Sequence, residues 1–237
     1  MKKLYEEENI QNIADSIRSK TGSTDKLKLA DIPSKIDGID LETYQKIIDR
    51  TITSVNLTNL TSVGSYGFNN CTSLTSINLP NLKSVGGGGF NYCTSLTEVN
   101  LPSLKSVGYT GFSYCTSLTS VNLTNLTSVG SYGFNNCTSL TSINLPNLKS
   151  VGGGGFSNCR KLIKLVMRIE QLVTIGNSNA FESTPIASGT GFIYVPSALV
   201  ESYKTATNWS VYANQFRALE DYTVDGTITG ELDESKI

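Results

Sequence analysis

Apolar letters along residues 54–163 fall in fixed columns separated by polar and glycine positions, and the whole pattern returns every 22 residues. In the second unit the columns are Ile77, Leu79, Leu82, Val85, Phe90, Cys93 and Leu96. The alternation at Ile77 and Leu79 has the period of two that marks a half-buried strand, whereas the polar and Gly-rich letters between the other columns suit turns. Each unit therefore predicts one short strand followed by turns. A single unit cannot bury its own apolar row, so the five units 54–75, 76–97, 98–119, 120–141 and 142–163 have to stack. At roughly 4.8 Å per rung they predict a rod about 25 Å long. The first and fourth units are identical over all 22 residues, and the second and fifth share their first fifteen, as a copied three-unit block would.

The unit LxxIxLPxLxxVGxxGFxxCxxL resembles the leucine-rich repeats of the BspA-like family, whose usual unit reads LxxIxIPxxVxxIGxxAFxxCxxL. The resemblance covers 54–163 and departs from the family pattern at Gly67, Gly89, Gly111, Gly133 and Gly155, where the family has alanine; that change is expected to loosen the turn and keep the register. It implies a mainly β fold: a right-handed leucine-rich repeat solenoid of 22-residue units with a helical N-terminal module and an α/β C-terminal cap. "LVTIGNSNAFESTPI" at 172–186 then reads as a degenerate sixth unit, which carries the repeats to 54–186. The cap follows at 187–221, with a strand at 192–195 and helical segments after Pro196 and Ser210, and an acidic tail closes the chain at 222–237.

Residues 1–53 read differently. Ile10, Ile13 and Ile17 fall at helical spacing, and Thr21-Gly22 stops that helix. The stretch "IQNIADSIRSKTGSTDKLKLADIPSKIDGI" is similar to a short module at the head of phage and prophage tail-associated proteins of Firmicutes. It implies attachment to other virion proteins, or a cap over the first rung.

Charge narrows the choice of partner. The net charge is −1, and residues 54–163 hold five basic side chains and one acidic one, too dispersed for the basic stripe that a phosphate backbone requires. Nucleic acid is excluded on this ground. No run approaches 18 apolar residues, so no membrane insertion is expected. Met1-Lys2-Lys3 is followed by Glu6, Glu7 and Glu8 where the apolar part of an export signal would stand, so no such signal is expected.

The chemistry on offer is sparse. There is no histidine, and Glu98, the one acid in the repeats, has no partner carboxylate in its own or adjacent units, so neither a nucleophile activated by histidine nor a carboxylate pair is available. No enzyme is expected. Cys71, Cys93, Cys115, Cys137 and Cys159 form a ladder at a spacing of 22 that lacks C-x2-C pairing and histidine partners, so no metal is expected. Rung-to-rung disulfides are conceivable, but an odd count in an inward column points to reduced, buried thiols. The runs Gly86–Gly89 and Gly152–Gly155 lack the Lys-Ser/Thr that a phosphate loop needs, and no cofactor is expected there. Asn56, Asn78, Asn100, Asn122 and Asn144 form an outward column, read as an amide ladder or as a ligand surface.

Two parts of the unit vary while the rest hold still. Positions twelve and thirteen read Ser65-Tyr66, Gly87-Gly88, Tyr109-Thr110, Ser131-Tyr132 and Gly153-Gly154, and position seventeen reads Asn70, Tyr92, Tyr114, Asn136 and Asn158. These letters are either drift at exposed turns or the palette of an adaptable recognition surface. On the second reading Tyr66, Tyr92, Tyr109, Tyr114 and Tyr132 build one aromatic ridge that binds a cell-surface protein or glycan. The chain then reads as a non-catalytic recognition or adhesion protein on a phage or prophage virion. A secreted bacterial surface adhesin and a passive virion decoration protein are the alternatives.

Overall fold

The computed structural model describes residues 46–47, 49–224 and 227–228. The helical module and tail-protein resemblance expected over 1–53 lie, up to residue 45, outside the described residues. From residue 54 each rung contributes two strands where the pattern predicts one. The three-residue strands are β1 (Ser54–Asn56), β3 (Ser76–Asn78), β5 (Glu98–Asn100), β7 (Ser120–Asn122), β9 (Ser142–Asn144) and β11 (Lys164–Val166). Two-residue strands follow in each rung: β2 (Ser62–Val63), β4 (Ser84–Val85), β6 (Ser106–Val107), β8 (Ser128–Val129), β10 (Ser150–Val151) and β12 (Thr174–Ile175). A serine–valine pair is too short to show a period, yet its valine is buried in each of the first five rungs and its backbone pairs with the next.

Pairing is parallel and in strict register, Ser54 opposite Ser76 and Ser62 opposite Ser84. The two-residue strands form one uninterrupted six-stranded sheet, whereas the three-residue strands fall into separate sheets: β1 with β3, β5 with β7, and β9 with β11 and the cap. A third ladder runs along the turns. The amides of Tyr66, Phe68 and Asn70 donate to the carbonyls of Gly87, Gly89 and Asn91 at 2.7–2.8 Å, and equivalent bonds recur up the stack.

Inside, Phe68, Phe90, Phe112, Phe134, Phe156 and Phe181 form a continuous stack with centroids 5.0–5.5 Å apart and planes within 7° of parallel. Phe181 belongs to the degenerate sixth rung and stands 25 residues after Phe156, so this rung is three residues longer, two of them gained before β12, while the stack continues. The glycines before each Phe do not loosen the turn. A Cβ at Gly89 would stand 2.7 Å from Val85 Cγ1, and one at Gly111 would stand 2.6 Å from Val107 Cγ1. The rung has closed onto its own valine, and the sixth rung, which has Ala180 at this place, has Ile175 in the valine position.

At the C-terminal end, β13 (Phe192–Val195) pairs with β11, and β14 (Phe216–Ala218) pairs with β13. Between them lie α2 (Val200–Thr205), after the short α1 (Pro185–Ser188), and a 3-10 segment at Ser210–Gln215 where a helix is expected. Beyond these, Thr223–Val224 and Thr227–Ile228 form a short antiparallel pair. Cap side chains bind the backbone groups that the sixth rung would otherwise leave unpaired. Trp209 Nε1 donates to Val173 O at 2.6 Å, Val173 N donates to Tyr203 Oη at 2.9 Å, and Asn208 Nδ2 donates to Ile175 O at 3.0 Å. An open strand end is thereby converted into a satisfied one.

Candidate functional site

The variable columns sit where the backbone is unusual. Positions thirteen and seventeen are left-handed in all five units: Tyr66, Gly88, Thr110, Tyr132 and Gly154 have φ from 51° to 64°, and Asn70, Tyr92, Tyr114, Asn136 and Asn158 have φ from 58° to 60°. Glycine and asparagine take this conformation readily; tyrosine and β-branched threonine do not. Half of the occupants therefore suit their backbone and half oppose it. A left-handed residue costs roughly 1–2 kcal/mol when it carries an ordinary side chain.

The five tyrosines do not form one ridge. Tyr92 and Tyr114 stack in the position-seventeen column with centroids 4.4 Å apart and planes 6° from parallel. Desolvation, and then the neighbouring Tyr114, which shares a hydrogen bond with it, push the Tyr92 hydroxyl above its ordinary pKa. Tyr109 meets Tyr132 edge-on at 6.1 Å. Tyr66 lies against the next rung, where a Cβ on Gly88 would come within 2.7 Å of its Cδ1 and Cε1. Tyr132 does the same to Gly154, at 2.5–2.7 Å. The second glycine of each pair thus has a steric cause: a tyrosine at position thirteen leaves no room for a Cβ one rung on. That signal is present in the sequence as a lag of 22 between Tyr66 and Gly88 and between Tyr132 and Gly154. Tyr92, Tyr109 and Tyr132 are exposed, while Tyr66 and Tyr114 are half-buried.

The outward asparagines make a partial ladder. Asn78 Nδ2 donates to Asn56 Oδ1 at 2.8 Å and Asn122 Nδ2 to Asn100 Oδ1 at 2.9 Å, matching the rung pairs that share a three-residue sheet. A second polar column, inward at position sixteen, goes unnoticed in the sequence because its letters are those of a turn. There Ser113 Oγ donates to Asn135 O at 3.2 Å, and Asn135 Nδ2 donates to Ser157 Oγ at 2.6 Å. These bonds tie rungs three, four and five together.

All five cysteines are buried free thiols. Each of the last four lies 3.1–3.3 Å from a phenylalanine carbonyl, as Cys93 Sγ does from Phe68 O. Burial pushes the Cys71 and Cys115 thiols up to about 12 and those of Cys93 and Cys137 well above their ordinary value. A thiol held in its neutral form is a poor nucleophile and a poor metal ligand. Among the described residues no three His, Cys, Asp or Glu side chains converge to hold a metal ion, and no helix is long and apolar enough to cross a membrane.

The family model of the BspA type leucine-rich repeat region matches residues 15–125 and 61–187, in six copies. Its span begins inside the segment 1–53 that the sequence pattern sets apart. Among solved structures, a leucine-rich repeat protein of T. pallidum is 28% identical over 63% of this chain and 68% of that one, with a TM-score of 0.49. One from Bacteroides ovatus is 20% identical over 71% of this chain and 54% of its own, at 0.44. A leucine-rich cell surface protein of Faecalibacterium prausnitzii is 20% identical over 61% of this chain and 60% of its own, at 0.28. The chain thus spans about two thirds of the first of these and little more than half of the second. No curated protein shows significant sequence similarity to it.

Proposed function

The chain belongs to the BspA-type leucine-rich repeat family, and from that premise we propose that it is a non-catalytic recognition or adhesion protein that binds a cell-surface protein or glycan through its tyrosine-bearing turns. The observation that carries this reading is the left-handed backbone at Tyr66, Tyr92, Tyr114 and Tyr132, in columns where glycine and asparagine stand in other rungs. Backbone strain of this kind is concentrated at functional sites. Tyrosine adds a large contact area with few rotors and a hydroxyl at its tip. The resemblance of residues 10–39 to tail-associated proteins supports a place on a virion, with that segment as the attachment to other virion proteins. Labelling of induced phage particles by antibodies to the chain tests this placement, and labelling confined to bacterial cells overturns it.

The test of the site is attachment to whole Firmicutes cells. Changing Tyr92, Tyr109 and Tyr114 together to serine abolishes attachment while the melting temperature falls by no more than about 3–6 °C, since substitutions outside the core rarely cost more than about 0.5 kcal/mol each. Undiminished attachment removes the tyrosines from the site. Absence of attachment by the unmodified protein removes the recognition reading itself.

A further inference from the structure

Residues 53–90 and 119–156 are the same letters, outward positions included. Each stretch spans one rung and most of the next, so the seam between rungs one and two and the seam between rungs four and five join identical sequences. Their backbones differ. Between rungs one and two, β1 and β3 pair from Ser54 opposite Ser76 to Asn56 opposite Asn78. Leu57 N donates to Asn78 O at 3.1 Å and Thr75 N to Thr53 O at 2.8 Å. Thr75 Oγ1 donates to the same carbonyl at 2.9 Å, and Asn78 Nδ2 donates to Asn56 Oδ1 at 2.8 Å. Between rungs four and five the counterparts of these bonds are absent among the described residues. There β7 and β9 lie in different sheets, and Leu123 N, Thr141 N and Asn144 Nδ2 have no partner across the seam.

Burial follows the bonds. Val55 is 3% exposed, whereas Val121, the same position of the same sequence, is only half-buried. The turn side stays shut, since Ser128 pairs with Ser150 and Phe134 N donates to Gly155 O at 2.8 Å, as Phe68 N does to Gly89 O at 2.7 Å. The seam is thus a wedge, closed along the phenylalanine stack and parted at the three-residue strands.

One sequence in two arrangements means that its own letters decide for neither. The outward strand edges are open to water, which replaces a parted backbone bond at small net cost, so the two arrangements lie close in free energy and the flanks choose between them. Those flanks differ: rung two is completed by Asn91–Thr97 and followed by Glu98, rung five by Ser157–Ile163 and followed by Lys164. Lys164 opens β11, which continues through β13 to β14 as one sheet with β9. We infer that the seam between rungs four and five is a two-state element, which closes as its copy between rungs one and two does, covering Val121 and joining Asn122 to Asn144. A ligand that touches both asparagines meets separate amides in one state and a bonded pair in the other, so its binding biases the seam.

Hydrogen exchange and relaxation dispersion, read by NMR on protein labelled at leucine and threonine, test the inference. Leu57 and Leu123 follow the same residue, as do Thr75 and Thr141, so their unprotected exchange rates are equal and any difference reports the seam. Leu123 and Thr141 exchange on the order of tenfold faster than Leu57 and Thr75, and they show microsecond-to-millisecond dispersion that Leu57 and Thr75 lack. Asn122→Cys with Asn144→Cys, oxidised by glutathione disulfide, traps the closed form: the dispersion vanishes, and both amides slow to the rates of Leu57 and Thr75. Asn56→Cys with Asn78→Cys is the control for a bridge across a closed seam. Equal exchange in the unmodified protein overturns the inference, because both seams are then closed. Flat dispersion at Leu123 and Thr141 overturns it as well, and so does a 122–144 pair that stays reduced while the 56–78 pair bridges, because the seam is then permanently parted. None of these measurements uses a ligand, so their failure leaves the recognition reading untouched.

Discussion

Among the described residues, two aromatic stacks run along the repeats, and they obey opposite rules. The phenylalanine stack is six rings long, buried, and identical in every rung, because each ring is both floor and ceiling for its neighbours. The tyrosine stack is two rings long, on an edge where the backbone prefers glycine or asparagine. Packing explains every letter of the first. Conformation argues against the letters of the second. The interior records what the fold requires, and the edge records what it tolerates for some other end.

The largest way to break this contrast is inside. Phe112→Ala removes the ring between Phe90 and Phe134 and leaves a hole in a stack that cannot collapse without breaking register, at a cost of about 3–5 kcal/mol. Thermal unfolding measures it, and an unchanged melting temperature contradicts the stack.

The next is alkaline pH. The Cys71 and Cys115 thiols are pushed up to about 12 by burial, above the unfolded value of 9.0. Between those values the native state holds protons that the unfolded state has released. Stability from each thiol is therefore complete below pH 9 and is lost as pH rises towards 12, on the order of 1 kcal/mol per pH unit. Denaturant melts from pH 8 to 11 read this slope, and Cys115→Ala makes it shallower. Rapid labelling of the native protein by a thiol reagent at pH 8 contradicts it.

The smallest change sharpens the edge. Thr110 holds a β-branched side chain at φ 51°. Thr110→Asn stabilises by about 1 kcal/mol, a rise of roughly 2–4 °C for a chain of this size. A fall in melting temperature shows that Thr110 makes contacts that offset its strain.

The period, the phenylalanine column and the cysteine column were legible from the sequence because they repeat without exception and follow burial alone. Left-handed φ was legible only in part. Asn70, Asn136 and Asn158 signal it, but Tyr92 and Tyr114 in the same column hide it. The two-residue strands escape because two letters carry no period, and the 3-10 turn after Ser210 because its pattern imitates a helix. The split of the five tyrosines into a stack, an edge-on pair and a ring against glycine depends on which rung each occupies. A column analysis lays those rungs on top of one another and loses that information.

The interrupted sheet has a mechanical meaning. Rungs one and two, and rungs three and four, are joined by three backbone ladders, while the junctions between rungs two and three and between four and five keep two. Under load along its axis such a rod is a chain of stiff links with softer joints, and it yields at the joints first. Opening such a joint parts two folded blocks and by itself frees no chain, so the first response to a pull is concentrated at the junctions between rungs two and three and between rungs four and five.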